Sequence, residues 1–195
     1  MTKTKLEPQV VKNLIYPYVP MLVGANVDGK PNFITIGLIG WLCYDLISVS
    51  IGHQQHSKHG LLDTGTFSVN QPPTARLKEV DYCGIVSGRD VDKAALFETF
   101  YGELETAPMA AECPINIECR VIQTLERKVH TVFLGEVVAV HANEEILQDG
   151  SIDLTKVNPI FYAPDPASGR GAHAYWGLGE RLGRAFEVGR DLEQR

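Results

Sequence analysis

Asp28-Gly29 stands between two apolar runs rich in β-branched side chains, Met21 to Asn26 and Asn32 to Trp41, and no other feature narrows the folding of this chain so sharply. An Asp-Gly pair in that setting calls for a two-residue turn with both φ angles positive, whose twist matches the flanking strands of a hairpin. Val27-Asp28-Gly29-Lys30 therefore predicts a β-hairpin and steers the chain toward antiparallel sheet. Gly24 to Lys30 also matches seven positions of a phosphate-binding P-loop. Position eight must supply a hydroxyl for magnesium, and here it is Pro31. A P-loop would also open a helix where the turn signal falls. The nucleoside-triphosphate reading is rejected.

The strands continue downstream. Leu46 to Ile51 (LISVSI) alternates with period two, and Phe67 to Asn70 is a further short strand closed by Pro72-Pro73. Ile115 to Leu125 and Thr131 to Val140 flank the polar turn Glu126-Arg127-Lys128, which predicts a long second hairpin. His59 to Asp63 reads as a short helix ending at Gly65. Asp90 to Tyr101 reads as a longer one, with Ala94, Phe97 and Tyr101 on one face and Gly102 as its stop. Thr74 to Val80 adds a turn or two. Ala163 to Ala172, rich in Pro, Gly and Ser, predicts a mobile loop. The tail from Tyr175 to Gly189 carries Gly177, Gly179, Gly183 and Gly189, too many for a continuous helix. Nothing resembles a repeat or an interdomain linker. The 195 residues predict one domain, 1–195, built as an antiparallel barrel or sandwich with a few helices in the connections.

A formal charge of −6 argues against broad nucleic-acid binding, which wants a basic surface. The stretch Met1 to Lys12 is polar and lacks the apolar core of an export signal. The run Gly37 to Tyr44 is too short to cross a bilayer. These readings predict a cytoplasmic protein with no membrane segment. Cys43, Cys83, Cys113 and Cys119 form no C-x-x-C pair and are expected to be reduced and mostly buried thiols.

Three segments bear on chemistry. His53, His56 and His59 recur every third residue, which invites a metal reading, but no carboxylate lies nearby until Asp63. His56-Ser57-Lys58 fits a different role. It offers an imidazole, a hydroxyl and an ammonium together, the donors that a phosphate dianion needs, and a following helix would add backbone N–H groups. Ser87-Gly88-Arg89-Asp90-Val91-Asp92-Lys93 has similar character, with Ser, Arg and Lys able to hold an anion, although Asp90 is equally a plain helix N-cap. Gly177 to Gly183 has one residue too many for a G-x-G-x-x-G fingerprint and follows no strand. No nucleophilic triad or paired carboxylate can be picked out, so no catalytic side chain is assigned. Chemistry on this chain points to a cofactor.

Taken in order, the segments resemble the flavin reductase-like family of split barrels, in its flavoredoxin branch. The resemblance runs through Tyr16-Pro17, Pro20 to Ala25, Asp28 to Asn32 with Thr35, Ser48 to Ile51, Gly65 to Asn70, and Cys83 to Gly88 with Asp92-Lys93. It continues through Ala107-Pro108, Glu112 to Pro114, Glu118-Cys119, Gly135 to Val137, Tyr175, Gly179-Glu180 and Gly183 to Phe186, and so covers residues 16 to 189. It implies a mainly β, Greek-key split barrel that holds FMN without a covalent bond. Asn32, Thr35, Ile36, Gly37 and Trp41 would line the isoalloxazine ring. His56, Ser57 and Lys58 would meet the phosphate, in preference to riboflavin or FAD. Asn70 would close the site, Ser87, Gly88 and Lys93 would lie near the cofactor, and Tyr175 would cover the ring. Lys58 stands where relatives usually carry a hydroxyl, and Leu46 and Ile47 stand where many carry Pro after an Asp.

The resemblance further implies a homodimer and an oxidoreductase role, with NAD(P)H or an electron-transfer protein as donor. Without a Rossmann fingerprint, the carrier-like outcome is slightly favoured. The rivals are a module that binds flavin or haem without turnover, and a metal-dependent enzyme using His53, His56 and His59.

Overall fold

The computed structural model describes residues 2–5, 15–169 and 171–190. Most of the N-terminal stretch read above as polar lies outside them. The opening hairpin forms as the sequence dictates. Strand β1 (Met21–Val27) pairs antiparallel with β2 (Lys30–Ile36), and Asp28 and Gly29 both take positive φ, 51° and 74°. The second apolar run does not continue to Trp41. It breaks at Gly37-Leu38, and β3 (Ile39–Cys43) turns away to pair with β4 (Leu46–Gly52). LISVSI is half-buried with strict alternation, as its period requires.

Helix α1 (Ser57–Thr64) ends on Gly65, which takes the left-handed conformation and donates its N–H to Leu61 O. Strand β5 (Thr66–Gln71) then returns beside β1, and α2 (Leu77–Ile85) crosses the outside of β2. The helical reading of Thr74 to Val80 was too short: a 3₁₀ turn over Thr74–Arg76 leads into nine residues of α-helix.

The helix expected over Asp90 to Tyr101 is not there. A 3₁₀ turn, Ala94–Leu96, is followed by β6 (Thr99–Phe100), which pairs with β7 (Met109–Ala110). The Asp92 carboxylate caps the Ala94 and Ala95 N–H groups, and the Lys93 ammonium reaches back to the Cys83 and Val86 carbonyls. The Glu98 N–H goes to Glu112 rather than along a helix. Tertiary hydrogen bonds outweigh a weak periodicity here. Ala94 and Phe97 still share one core cluster, while Tyr101 bonds Asn26 through its hydroxyl.

The long hairpin is β8 (Ile115–Glu126) and β9 (His130–Ala142), with bulges between Glu118 and Cys119 and between Val121 and Gln123. Two small hairpins follow: β10 (Leu147–Gln148) with β11 (Ser151–Ile152), and, after α3 (Leu154–Val157), β12 (Phe161–Pro164) with β13 (His173–Trp176). The stretch expected as a loop over Ala163 to Ala172 is thus largely the connection of that last hairpin, with Asp165 capping a 3₁₀ turn.

The seven long strands form one antiparallel sheet in the order β2-β1-β5-β8-β9-β4-β3. Its curled interior packs Val23, Ile34, Ile36, Val49, Phe67 and Phe133. Outside β1 and β2, α2 and the 94–97 turn bury Leu22, Phe33, Val80, Cys83 and Phe97. Among the described residues no helix is long and apolar enough to cross a membrane.

Candidate functional site

Three cavities adjoin between β2, the last turn of α2, the start of α1 and the 87–93 loop. The first, about 560 Å³, has Thr35, Gly37 and Leu38 on one side and Gly84-Ile85 on another, with Tyr162 and Tyr175 along its rim. The second, about 180 Å³, shares Gly84 and Ile85 with the first and reaches His56, Ser57, Ser87 and Gly88. The third, about 760 Å³, shares His56, Gly88 and Lys93 with the second. Together they make one trough with an aromatic end and a polar end.

At the aromatic end, Tyr162 stacks flat on His173 with ring centroids 4.9 Å apart and planes within 3°. Tyr175 packs against Tyr162 at 5.4 Å and donates its hydroxyl proton to Asp81 at 2.7 Å. Burial and that hydrogen bond push the Tyr175 phenol well above its ordinary pKa, so it stays a neutral donor. The floor is Thr35, whose hydroxyl is fixed on the Val80 carbonyl, together with Gly37 and Gly84, which present backbone instead of side chains.

The polar end is assembled by close approach. A Cβ on Gly88 would sit 2.1 Å from Asn32 Oδ1 and 3.1 Å from His56 Cδ2, so only glycine lets the 87–89 loop lie against both. Asn32 is buried and donates to Ser57 Oγ at 2.7 Å, tying β2 to the start of α1. Arg89 bridges the two loops. Its Nη1 donates to Gln54 O at 3.0 Å, and its Nη2 lies 3.4 Å from His59 Nε2. Lys93 is buried and gives two N–H donors to the Cys83 and Val86 carbonyls, leaving a third. Burial lowers its pKa. Burial, and then the Arg89 charge, also lower the pKa of His56, which keeps its ring neutral near pH 7. His56 Nδ1 is buried without a hydrogen-bond partner. A polar atom left so, beside a guanidinium and an ammonium, suits an anionic or acceptor group placed in the trough.

Of the residues expected at the site, the structure brings Asn32, Thr35, Gly37, His56, Ser57, Ser87, Gly88, Lys93 and Tyr175 to the trough. Four others stand elsewhere. Ile36 faces the barrel interior, because strand alternation from Thr35 sends it to the opposite side. Asn70 is spent on the core: it donates to Leu22 O and Ser68 Oγ and accepts from Ala110 N and Asn116 Nδ2. Trp41 is 72% exposed on β3, edge-on to Tyr44. Lys58 lies 3.5 Å from Glu126, which also holds His53 at 3.1 Å, and the pair draws Lys58 off the trough. The backbone supply at α1 is also smaller than expected, since the Lys58 and His59 N–H groups already go to Gln55 O and His56 O.

The three histidines do not converge. His53 is on Glu126, His56 on the trough and His59 beside Arg89. No group of three or more metal-ligating side chains gathers among the described residues. Of the trough residues that sequence reasoning missed, Tyr162 and His173 flank the segment Ala163 to Ala172 that was taken for a loop. Cys83, Cys113 and Cys119 are buried, with thiols pushed up to about 11, 12 and 12, and Cys43 is exposed.

Comparison with known proteins adds four findings. The profile of the family described as "Flavin reductase like domain" matches residues 14–163. The flavoredoxin of Methanosarcina acetivorans superposes with a TM-score of 0.90 at 37% identity, covering 98% of this chain and all of its own. The flavoredoxin of Desulfovibrio vulgaris (Miyazaki F) superposes with a TM-score of 0.84 at 32% identity, covering 96% of this chain and all of its own. An FMN-binding protein from Thermus thermophilus, solved with 1-cyclohex-2-enone, follows with a TM-score of 0.71 at 25% identity, covering 94% of this chain and 98% of its own. The antiparallel barrel and its outer helices are thus the split-barrel fold of these proteins.

Proposed function

The chain belongs to the flavin reductase-like family, and from that premise we propose that its trough holds FMN and that it serves as a flavoredoxin-like electron carrier. The observation that carries this reading is the continuity of the trough. An aromatic, backbone-floored cavity runs directly into a pocket where His56, Ser57, Arg89 and Lys93 meet. The ring would lie along Thr35, Gly37, Gly84 and Ile85, with Tyr175 over it. The phosphate would meet His56, Ser57 and the backbone of Ser87 and Gly88, with Arg89 and Lys93 supplying charge. When bound, FMN supplies an acceptor and donor of electrons or hydride that no side chain of this protein provides.

The side chains then have two tasks. Gly88, Asn32 and Ser57 fix the spacing of the loops on which the phosphate would rest. Tyr175, kept neutral on Asp81, and its neighbour Tyr162 shield one end of the trough from water. No side chain is assigned as an acid or base, so rate depends on how a donor is positioned against the flavin. The carrier reading over the reductase reading is supported by the missing dinucleotide fingerprint and by the two flavoredoxins above.

The test is anaerobic reduction of the FMN-loaded protein, followed by bleaching of its visible flavin band. Dithionite or a reduced electron-transfer protein bleaches it quickly, while NADH and NADPH are poor donors. Rapid, saturable bleaching by either nucleotide at micromolar concentration would make the protein a reductase instead. We further propose a homodimer. Trp41, Leu42 and Tyr44 form an exposed apolar cluster on β3 and its turn, an arrangement that monomers tend to avoid. Light scattering then gives twice the chain mass of 21.5 kDa; a value at the chain mass removes the proposal.

A further inference from the structure

Among the described residues that line the first cavity, Asp81 brings the one carboxylate, and there is no lysine or arginine. The cations stand farther along the trough. Lys93 lines both polar cavities but not this one, and Lys30 and Arg89 line only the third. Nothing in α2 calls for an aspartate at this position. Asp is a poor helix former in a helix interior, and no ion pair of the described residues includes Asp81. Its Oδ1 instead accepts the Tyr175 hydroxyl at 2.7 Å. Tyr175 rests on Tyr162, and Tyr162 is stacked on His173, so the half-buried carboxylate is held at the cavity wall.

We propose that Asp81, so held, sets the redox preference of the site: it makes the trough bind reduced FMN more weakly than oxidised FMN, and the bound cofactor a stronger electron donor than free FMN. The proposal rests on the flavin reading above. Two electrons reach a flavin with one proton or two, and with one proton the ring is left an anion. Asp81 repels that charge and has no such quarrel with the neutral oxidised ring. A ring that fills the cavity also displaces the water that would screen the two charges. A charged neighbour moves proton affinities by roughly ten- to a thousandfold. The low end of that range suits a half-buried carboxylate, and a tenfold weaker hold on reduced FMN is about 30 mV for a two-electron couple. The consequence for function is direction. Electrons leave the protein for acceptors that free reduced flavin serves poorly.

The test is the midpoint potential of the FMN-loaded protein at pH 8, read anaerobically from the flavin band against a dye of known potential. The wild type is compared with free FMN and with Asp81→Asn, Asp81→Glu and Tyr175→Phe. The expected wild-type potential lies about 30 mV or more below that of free FMN, a tenfold or greater preference for the oxidised form. Asp81→Asn keeps the shape, removes the charge and raises the potential by a similar amount. Asp81→Glu restores the charge and returns more than half of that rise. Tyr175→Phe removes the hydrogen bond and leaves the charge, so its potential does not rise. Binding of oxidised FMN, followed by fluorescence, reports that each variant is folded. Should Asp81→Asn fail to bind, Asp81→Ser gives the same readout.

A wild-type potential at or above that of free FMN overturns the proposal, as does an Asp81→Asn potential equal to the wild type. A rise in Tyr175→Phe as large as that in Asp81→Asn gives the effect to the phenol and overturns it too. Failure of the wild type to bind FMN removes the flavin reading itself, a result distinct from bound FMN with an unshifted potential.

Discussion

Gly88→Ala is the most direct probe of how the polar end of the trough is assembled. The added Cβ would lie 2.1 Å from Asn32 Oδ1 and 3.0 Å from Asn32 Cγ, where real side chains do not approach. One partner has to give. If Asn32 swings away, the bond from its Nδ2 to Ser57 Oγ is lost inside a buried site. If the 87–89 loop lifts instead, the Arg89 bond to Gln54 O is strained and the pocket widens. Either route sacrifices about one hydrogen bond and leaves buried polar atoms partly unsatisfied, a cost of about 1–3 kcal/mol. Spread over stability and affinity, that corresponds to a loss of roughly 5- to 150-fold.

Urea unfolding of the apo-protein and FMN titration of the folded variant separate the two routes. Asn32→Ala is the control, because it removes the atom that the methyl would strike. In that background Gly88→Ala is nearly silent, giving a coupling energy of about 1 kcal/mol or more in the double-mutant cycle. Wild-type stability and affinity in Gly88→Ala, or plain additivity of the two substitutions, would refute the close-approach argument.

Three further expectations follow from single contacts. Lys58→Ala changes FMN affinity by less than threefold, because Lys58 is engaged with Glu126. A tenfold loss for FMN with none for riboflavin would show that the side chain leaves Glu126 for the phosphate. His56 has a folded pKa below its ordinary 6.5, so the unfolded chain takes up a proton that the folded chain refuses as pH falls through that range. The stability of the apo-protein therefore drops between about pH 7 and pH 5, and His56→Gln flattens that drop in urea midpoints; an unchanged slope would contradict the assignment. An aromatic disulfide reagent at pH 8 titrates one thiol per native chain, Cys43, and all four after denaturation, since the other three are buried with raised pKa values. Two or more fast thiols in the native protein would show the packing to be looser than described.

The parts of this fold that sequence reading reached are those whose cause is local. Asp28-Gly29 demands positive φ in consecutive residues, LISVSI alternates on its own, and Gly65 stops α1 by taking the left-handed conformation. The helix expected over Asp90 to Tyr101 failed because its residues are held by groups from other segments, with Lys93 on carbonyls of α2 and Glu98 on Glu112. Lys58 shows the same effect in electrostatic form: its neighbour Glu126 arrives from the end of β8, and residue type alone cannot say which anion an ammonium will choose. At the aromatic end Tyr175 was legible from the resemblance, but Pro, Gly and Ser between β12 and β13 masked the hairpin that brings Tyr162 and His173 beside it.

Asn32 shows where residue type and residue role part company. Its place in the sequence points to a ring contact, yet in the fold its amide nitrogen reaches Ser57 while its oxygen lies against Gly88. One side chain thereby sets the distance between the two loops that would hold the anion. That role depends on β2, α1 and the 87–89 loop being brought together, and no motif spans all three. A substitution at Asn32 is therefore expected to disturb phosphate recognition more than ring contact, so that Asn32→Ala costs FMN more affinity than riboflavin. Equal losses for the two flavins would return Asn32 to the ring.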